Sequence, residues 1–541
     1  MRSAEPRGLA RSDPPRPGKG RHGRGNMARL AFKPDSSFFR KIVIGAVGTR
    51  AVCADLRRHG HDMRELERGS TDTKLWKDVR RKRVRIPDLV CTKCGLRVES
   101  RAKTAPDLSM SHSPAEEARA WDFGMVDRDL IAFPVCQAVE ESYWSSGHLR
   151  GGLSYWHERN WVKWQAKPFV NYFAVQAFRS SAHTRSSTKG VTEGSETAIA
   201  WNATFSSRTG VVEAASQERI TIRRKSDGHR YTWRVPPGQI VVVSPGCEVH
   251  ENQVIASAVP PFPVAALRCP GSTPASHIGQ LLQSRERTLR FTGVKLARLR
   301  GDASFCDEVS ALAADADEDV YVRLEAASYL ASTCGQPADP LFRPYYTSNA
   351  PQTQLESVIA LGEAGTSDAI GLVSAILDDE QRPYFLRSAA AWSLSRVHQP
   401  DALSRLIRAF ADVDPDIRDE ALERIVSVGG PAVPLLLTGL RSPESDIAAG
   451  CAESLRHRYD LPDEAIAAIM RDFRSGSAST WVTWLVAHLP RERVATAIAD
   501  LQKSAPHLHY AVSVLWSFVE SWIARRWEFA PLPASEGPRC V

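Results

Sequence analysis

The residues best placed to do chemistry in this 541-residue chain lie in one stretch, "IPDLVCTKCGLRVESRAK", Ile86 to Lys103. Side chains alternate across a strand, so Glu99, Arg101 and Lys103 share a face. Asp88 lies across the turn from them. Two carboxylates held together repel, each raising the pKa of the other, and a divalent cation relieves that repulsion. The pattern predicts a divalent-metal site on Asp88 and Glu99, with Arg101 or Lys103 on its rim. The competing reading is a solvated strand edge carrying ordinary charges. The turn itself holds Cys91 and Cys94 as "CTKCG", half of a structural Zn2+ knuckle. Cys136, His112 and Cys53 are the candidates to complete it, against two turn cysteines without metal.

Elements that could position this stretch surround it. Ala46, Ala51, Val52, Ala54 and Leu56 mark an amphipathic helix that stops at Gly60. The basic run "KDVRRKRVR", Lys77 to Arg85, leads into the first strand and could hold a phosphate backbone. Downstream, "DRDLIAFPVCQAV" reads as a buried strand. Helix, strand, hairpin and strand make a small α/β core. His112 reads as a polar loop residue, and "GAVGTR" lacks the lysine and spacing of a phosphate-cradling loop, so no NTPase is expected.

The hairpin resembles the core of the PD-(D/E)XK nuclease superfamily. That resemblance implies a restriction-endonuclease-like fold and metal-dependent hydrolysis of DNA or RNA, with Asp88 and Glu99 as metal ligands. The superfamily spacing puts Arg101 where a lysine is expected, and Lys103 sits about 6.6 Å further along the strand. Arginine stays protonated and cannot act as a base, but it can orient or stabilise the scissile phosphate. Many members also carry a glutamate on the first helix. Here that helix offers only Asp55, with Asp62, Glu65 and Glu67 as substitutes.

From Ser142 to Thr184, Trp144, Trp156, Trp161 and Trp164 lie among Arg, Lys and His. Such a set could stack bases; core packing at a domain junction is favoured, because tryptophans bury readily. Ala203 to Pro261 alternates short β-rich runs with turn signals. Its "TGVVE", "RITIRR" and "VVVSPGCEVHENQVIA" resemble the barrel-sandwich hybrid module of RNA polymerase large subunits and of biotinyl and lipoyl carriers. No lysine occupies a carrier-type turn tip, so a structural or binding module is expected.

Five segments align further on: "VRLEAASYL" from Val322, "TQLESVIAL" from Thr353, "LRSAAAWSL" from Leu386, "IRDEALERI" from Ile417 and "IAAGCAESL" from Ile447. Their starts are 31, 33, 31 and 30 residues apart. A period near thirty, with small residues at contact positions, predicts stacked helical pairs. The pattern resembles short HEAT repeats of the phycobilisome-lyase type.

Charge divides the chain. Residues 301–470 carry 12 Arg, no Lys and 28 Asp or Glu, a net −16, leaving +24 for the rest of a chain of net +8. The basic N-terminal half is expected to meet nucleic acid and the acidic repeats a protein partner. No run of 18 apolar residues occurs, so no membrane partner is expected. Ten scattered cysteines do not form a disulfide framework and suit a reducing cytoplasm. The expected architecture is multidomain: a basic disordered tail (1–38), with Met27 as an alternative start; a PD-(D/E)XK-like domain (39–141); an aromatic junction and barrel-sandwich-like module (142–266); a linker or helix (267–300); and a HEAT-like solenoid (301–541). The function expected is a metal-dependent nuclease, suited to a prokaryotic defence or DNA-processing effector. The alternatives are a non-catalytic nucleic-acid-binding scaffold and a transcription-associated factor.

Overall fold

A computed structural model describes residues 36–66, 86–113, 117, 120–139, 163–187, 197–458, 460–475 and 479–527. The N-terminal tail, Glu67, the basic run Lys77 to Arg85, and Trp144, Trp156 and Trp161 lie outside them.

Helix α1 (Ser36–Arg58) ends where Gly60 takes a positive φ of 88°. It is followed by β1 (Met63–Glu65), β2 (Leu89–Cys91), β3 (Arg97–Ser100), β4 (Ser109–His112), β5 (Leu130–Val139) and β6 (Lys163–Ala174). Five of these strands form one sheet in the order β1-β2-β3-β5-β6. All neighbours in it are antiparallel except β3 and β5, which run parallel. The strand β6 pairs with β5 over nearly its whole length, so the first sheet continues past residue 141, where the sequence-based boundary falls. Trp164 sits half-buried in β6 opposite the exposed Ala138. Alternation puts Leu89, Cys91 and Val98 into a core with Val52 and Leu56 of α1, and turns Val90 to the other face.

Helix α2 (Val175–Ser180) follows, then β7 (Thr184–Ser187) and β8 (Thr197–Ala200), which join β4 in a three-stranded sheet. Next come β9 (Ala203–Phe205), β10 (Gly210–Ala215), β11 (Arg219–Arg224), β12 (Arg230–Arg234), β13 (Ile240–Val241), β14 (Glu248–Val249) and β15 (Val254–Ser257). They make two small sheets, β12-β11-β10-β14 and β13-β15-β9. Val212, Ile220, Ile222, Val249 and Ile255 from both sheets share one core.

The remainder is helical: α3 (Ala275–Leu282), α4 (Arg287–Arg300), α5 (Cys306–Ala314), α6 (Val320–Ser332), α7 (Ala338–Tyr346), α8 (Pro351–Ala364), α9 (Ser367–Asp378), α10 (Tyr384–Val397) and α11 (Pro400–Arg408). The series continues with α12 (Pro415–Val428), α13 (Val433–Gly439), α14 (Ser445–Arg456), α15 (Asp463–Arg474), α16 (Thr480–His488), α17 (Arg491–Ser504) and α18 (Pro506–Trp527). Each of the five aligned segments falls inside one helix, α6, α8, α10, α12 or α14. These helices bury Ala and Ser against one another: Ala327, Ala360, Ala389, Ala390 and Ala421 are at most 2% exposed. A single apolar core runs from Leu324 to Val512, as expected when each hairpin depends on its neighbours. Aspartates at the helix starts, Asp319 and Asp414, accept from the amides of Tyr321 and Asp416. Part of the array's acidity is therefore helix capping.

Two observations depart from the sequence reading. Residues 275–300, expected as a linker or a helix, are a packed helical pair, because Ile278, Leu281, Phe291 and Val294 share a core with α6 and with Val90 of the sheet. Cys306 and Cys334 form a disulfide, bridging the start of α5 and the end of α6 where those helices pack as a pair. No single helix among the described residues is long and apolar enough to cross a membrane.

Candidate functional site

The β2–β3 hairpin pairs Leu89 with Val98 and Val90 with Arg97. Carrying that register one step outward sets Asp88 opposite Glu99, and the Asp88 carboxylate accepts a 2.9 Å hydrogen bond from the Ser100 amide. Arg101 Nη2 lies 3.0 Å from Glu99 Oε1 and donates to the Trp121 carbonyl at 3.5 Å. Its Nε is buried without a hydrogen-bond partner among the described residues, as is the neighbouring Ser100 hydroxyl. Buried donors without partners are rare, and a catalytic role or a bound water or ion is among the reasons for one.

Lys103 goes elsewhere. Its ammonium donates to the carbonyl of Ser109 and to Ser109 Oγ, the latter at 2.9 Å, and pairs with Asp107 at 3.4 Å. Burial pulls its pKa down, against the pull of Asp107. The structure thus brings Asp88, Glu99 and Arg101 together and ties Lys103 to the start of β4 and the loop before it.

No helix residue joins the pair. Val98 faces α1, so Glu99 on the next position faces away from it. Asp55 is engaged by Tyr172 at 2.8 Å and Arg58 at 2.7 Å, and Asp62 accepts from Thr92 Oγ1 at 2.7 Å. Glu65 lines a cleft on the α1 side. Glu67 is not among the described residues.

The cysteine turn is completed differently from the expectation. His61, Cys91, Cys94 and Cys269 bring one ligand atom each within 4.8 Å of the others, and they are the only such grouping of three or more among the described residues. Cys53 instead contacts the Met63 carbonyl and Cys136 the Ile44 carbonyl, both through sulfur at 3.8 Å. His112 belongs to the separate β4-β8-β7 sheet. A hydrogen bond from the Cys94 thiol holds Cys91 well below the usual thiol range although burial opposes it. The same bond, with burial, pushes Cys94 up. Burial works to lower His61, but hydrogen bonds to Cys91 and to the Leu267 carbonyl outweigh it and raise the imidazole. His61 and Cys269 escaped the sequence reading because each is a lone residue far from the CxxC pair.

A cleft of about 840 Å3 opens between α1–β1 and the helical array. Arg50, Arg57 and Arg64 line one wall, and Glu363, Trp392 and Arg396 the other. In the β module, the turn between β14 and β15 is anchored on β6: Asn171 donates to the Asn252 carbonyl at 2.8 Å and accepts from the Val254 amide at 2.9 Å. A docked tip without lysine has neither the reach nor the amine of a prosthetic-group carrier.

The helical region thus defines a stacked-repeat protein, and comparison specifies the repeat. A family model for HEAT repeats matches residues 340–425 and 386–456, so the C-terminal region is built of HEAT repeats. No curated protein matches the chain in sequence. Among solved structures, it is similar to the YibA protein of Escherichia coli at 12% identity, covering 45% of this chain and 93% of that one, with a TM-score of 0.24. The complex of CpcE and CpcF of phycocyanin lyase from a Nostoc species matches at 16% identity over 48% and 98% of the two chains, with a TM-score of 0.17. An engineered protein matches at 16% identity over 45% and 77%, with a TM-score of 0.22.

Proposed function

We propose that this protein is a metal-dependent nuclease whose HEAT array docks a protein partner. The observation that carries the reading is the juxtaposition of Asp88 and Glu99 across the β2–β3 hairpin, beside an arginine with an orphaned buried Nε. The order of elements supports it: a helix, three antiparallel strands, then a strand parallel to the third. The donor set fits a hard divalent cation, which binds through one or two carboxylates and keeps several waters. Asp88 and Glu99 would hold Mg2+ or Mn2+, which would supply charge neutralisation and an activated water. Arg101 would hold the scissile phosphate through its fork of donors. The cation wall of the cleft lies on the α1 face of the sheet, opposite the face of the Asp88–Glu99 pair, and offers a separate surface for a nucleic-acid backbone; HEAT arrays present extended faces suited to proteins.

The test is cleavage of several DNA and RNA substrates with Mg2+ and with Mn2+. Asp88→Ala and Glu99→Ala are expected to lower cleavage at least about a hundredfold while the protein stays folded, and Arg101→Ala about 10- to 1000-fold. Wild-type protein without metal-dependent cleavage on any substrate sinks the reading.

A second reading, a non-catalytic nucleic-acid-binding scaffold, is favoured by the position of Lys103. Its ammonium is committed to Ser109 and Asp107, and the first helix contributes no carboxylate to the pair. Retained nucleic-acid binding without cleavage in the same assay selects it.

A further inference from the structure

We propose that His61, Cys91, Cys94 and Cys269 bind one structural Zn2+ that pins the N-terminal sheet to the connector entering the helical array. The four ligand atoms lie within 4.8 Å of one another, and His61 Nδ1 is 3.5 Å from Cys94 Sγ. In a tetrahedral zinc site, bond lengths of about 2.0 and 2.3 Å put nitrogen and sulfur about 3.5 Å apart. Three sulfurs and one imidazole select Zn2+ over hard cations. With four protein ligands the site is closed, so its role is structural.

The surroundings are those of a metal ligand shell. His61 Nε2 lies 2.7 Å from the Leu267 carbonyl. A carbonyl only accepts, so Nε2 carries a proton, and in the neutral imidazole Nδ1 is then the nitrogen left with a lone pair for the metal, the orienting bond metal-bound histidines make. Gly95 closes the turn at φ 73°, and a Cβ there would meet His277 Nε2 at 3.0 Å. Only glycine suits both demands.

Three distant segments meet here. Cys269 donates its amide to the His59 carbonyl at 2.9 Å, and Thr273 to the Lys93 carbonyl at 2.9 Å. Arg300, at the end of α4, donates to the carbonyls of Thr92 and Lys93, both at 2.6 Å. The metal would close a cross-link already outlined by hydrogen bonds, between the hairpin carrying Asp88 and Glu99 and the helices that follow.

The test uses the full chain and zinc itself. Elemental analysis is expected to find one zinc per chain, released only by a strong chelator. Cobalt-exchanged protein is expected to show thiolate-to-cobalt charge transfer and tetrahedral ligand-field bands. Cys269→Ser is expected to lose most of the zinc, Cys269→His to retain it with weaker charge transfer, and Cys53→Ser and Cys136→Ser to keep full content. Should Cys269→Ser fail to fold, the wild-type cobalt spectrum still decides. Metal-free wild-type protein that takes up no added Zn2+, a Cys91–Cys94 disulfide in its place, or zinc content unchanged by both Cys269→Ser and His61→Ala overturns the proposal.

Discussion

Among single residues, Arg101 and Lys103 differ by where each cation is anchored. Arg101 reaches Glu99, while Lys103 is held by Ser109 and lies over the Phe133 ring at 5.9 Å from its centroid. Lys103 therefore belongs to stability. Burial holds its folded pKa below the ordinary lysine value. Between that depressed value and about 10.4 the unfolded chain binds more protons, so this group makes stability rise with pH there. Lys103→Met is expected to flatten that alkaline rise. Near neutral pH it is expected to cost about 1–3 kcal/mol through lost charge-assisted hydrogen bonds. Urea unfolding as a function of pH reads both effects; an unchanged alkaline slope contradicts the assignment. Alternation along β3 put Glu99, Arg101 and Lys103 in one row on sequence grounds alone. Which cation stays with Glu99 depended on a contact with Ser109 at the start of β4, which periodicity along β3 does not encode.

The repeat helices show what local pattern can reveal. Their thirty-residue period was legible because every hairpin must bury the same face, which forces small residues to recur. The structure gives that rule a contact: a Cβ on Gly450 of α14 would fall 2.3 Å from the Phe410 ring. Gly450→Ala relieves a helix penalty of about 1 kcal/mol but overpacks a closed contact, typically about 1–3 kcal/mol. A net loss of thermal stability is expected, since the clash is with the root of the ring as well as its edge; a rise in Tm would show that the helices slide apart freely. The strands were harder to read. Leu130 to Val139 announced itself as a buried run, whereas its partner β6 was hidden in a stretch rich in Trp, Lys and Gln, half exposed on an edge. The zinc ligands illustrate the same limit. Cys91 and Cys94 share a turn and could be paired by spacing, while His61 and Cys269 reach them only through folding.

Across the whole molecule, the division into basic and acidic parts becomes a contact. Lys295 and Arg298 of α4 are nearly buried and pair with Glu325 and Glu363 of the array. Arg290 pairs with Glu318, and Arg287 with Asp319 at 2.8 Å. The sheet and the array also share an apolar core through Leu66, Ile86 and Val90. Cutting the chain at the charge boundary would expose that core, so the two parts are better tested by charge reversal in the intact protein. The cleft beside this junction has its arginine wall on the N-terminal side, Arg50, Arg57 and Arg64, where it can meet a polyanion without approaching the acidic outer helices. Counterion release makes each neutralised phosphate add about 0.7–0.9 to the salt slope of binding. Arg50→Glu, Arg57→Glu and Arg64→Glu combined are therefore expected to weaken binding to a DNA or RNA duplex at least about tenfold at low salt. The slope of log affinity against log salt should shrink by about two to three. Reversal of acidic surface residues on the distal helices, such as Asp463 and Glu464, is expected to leave both quantities unchanged. Fluorescence anisotropy across a salt series separates the cases, and equal loss from the two variants would move the nucleic-acid surface away from the cleft.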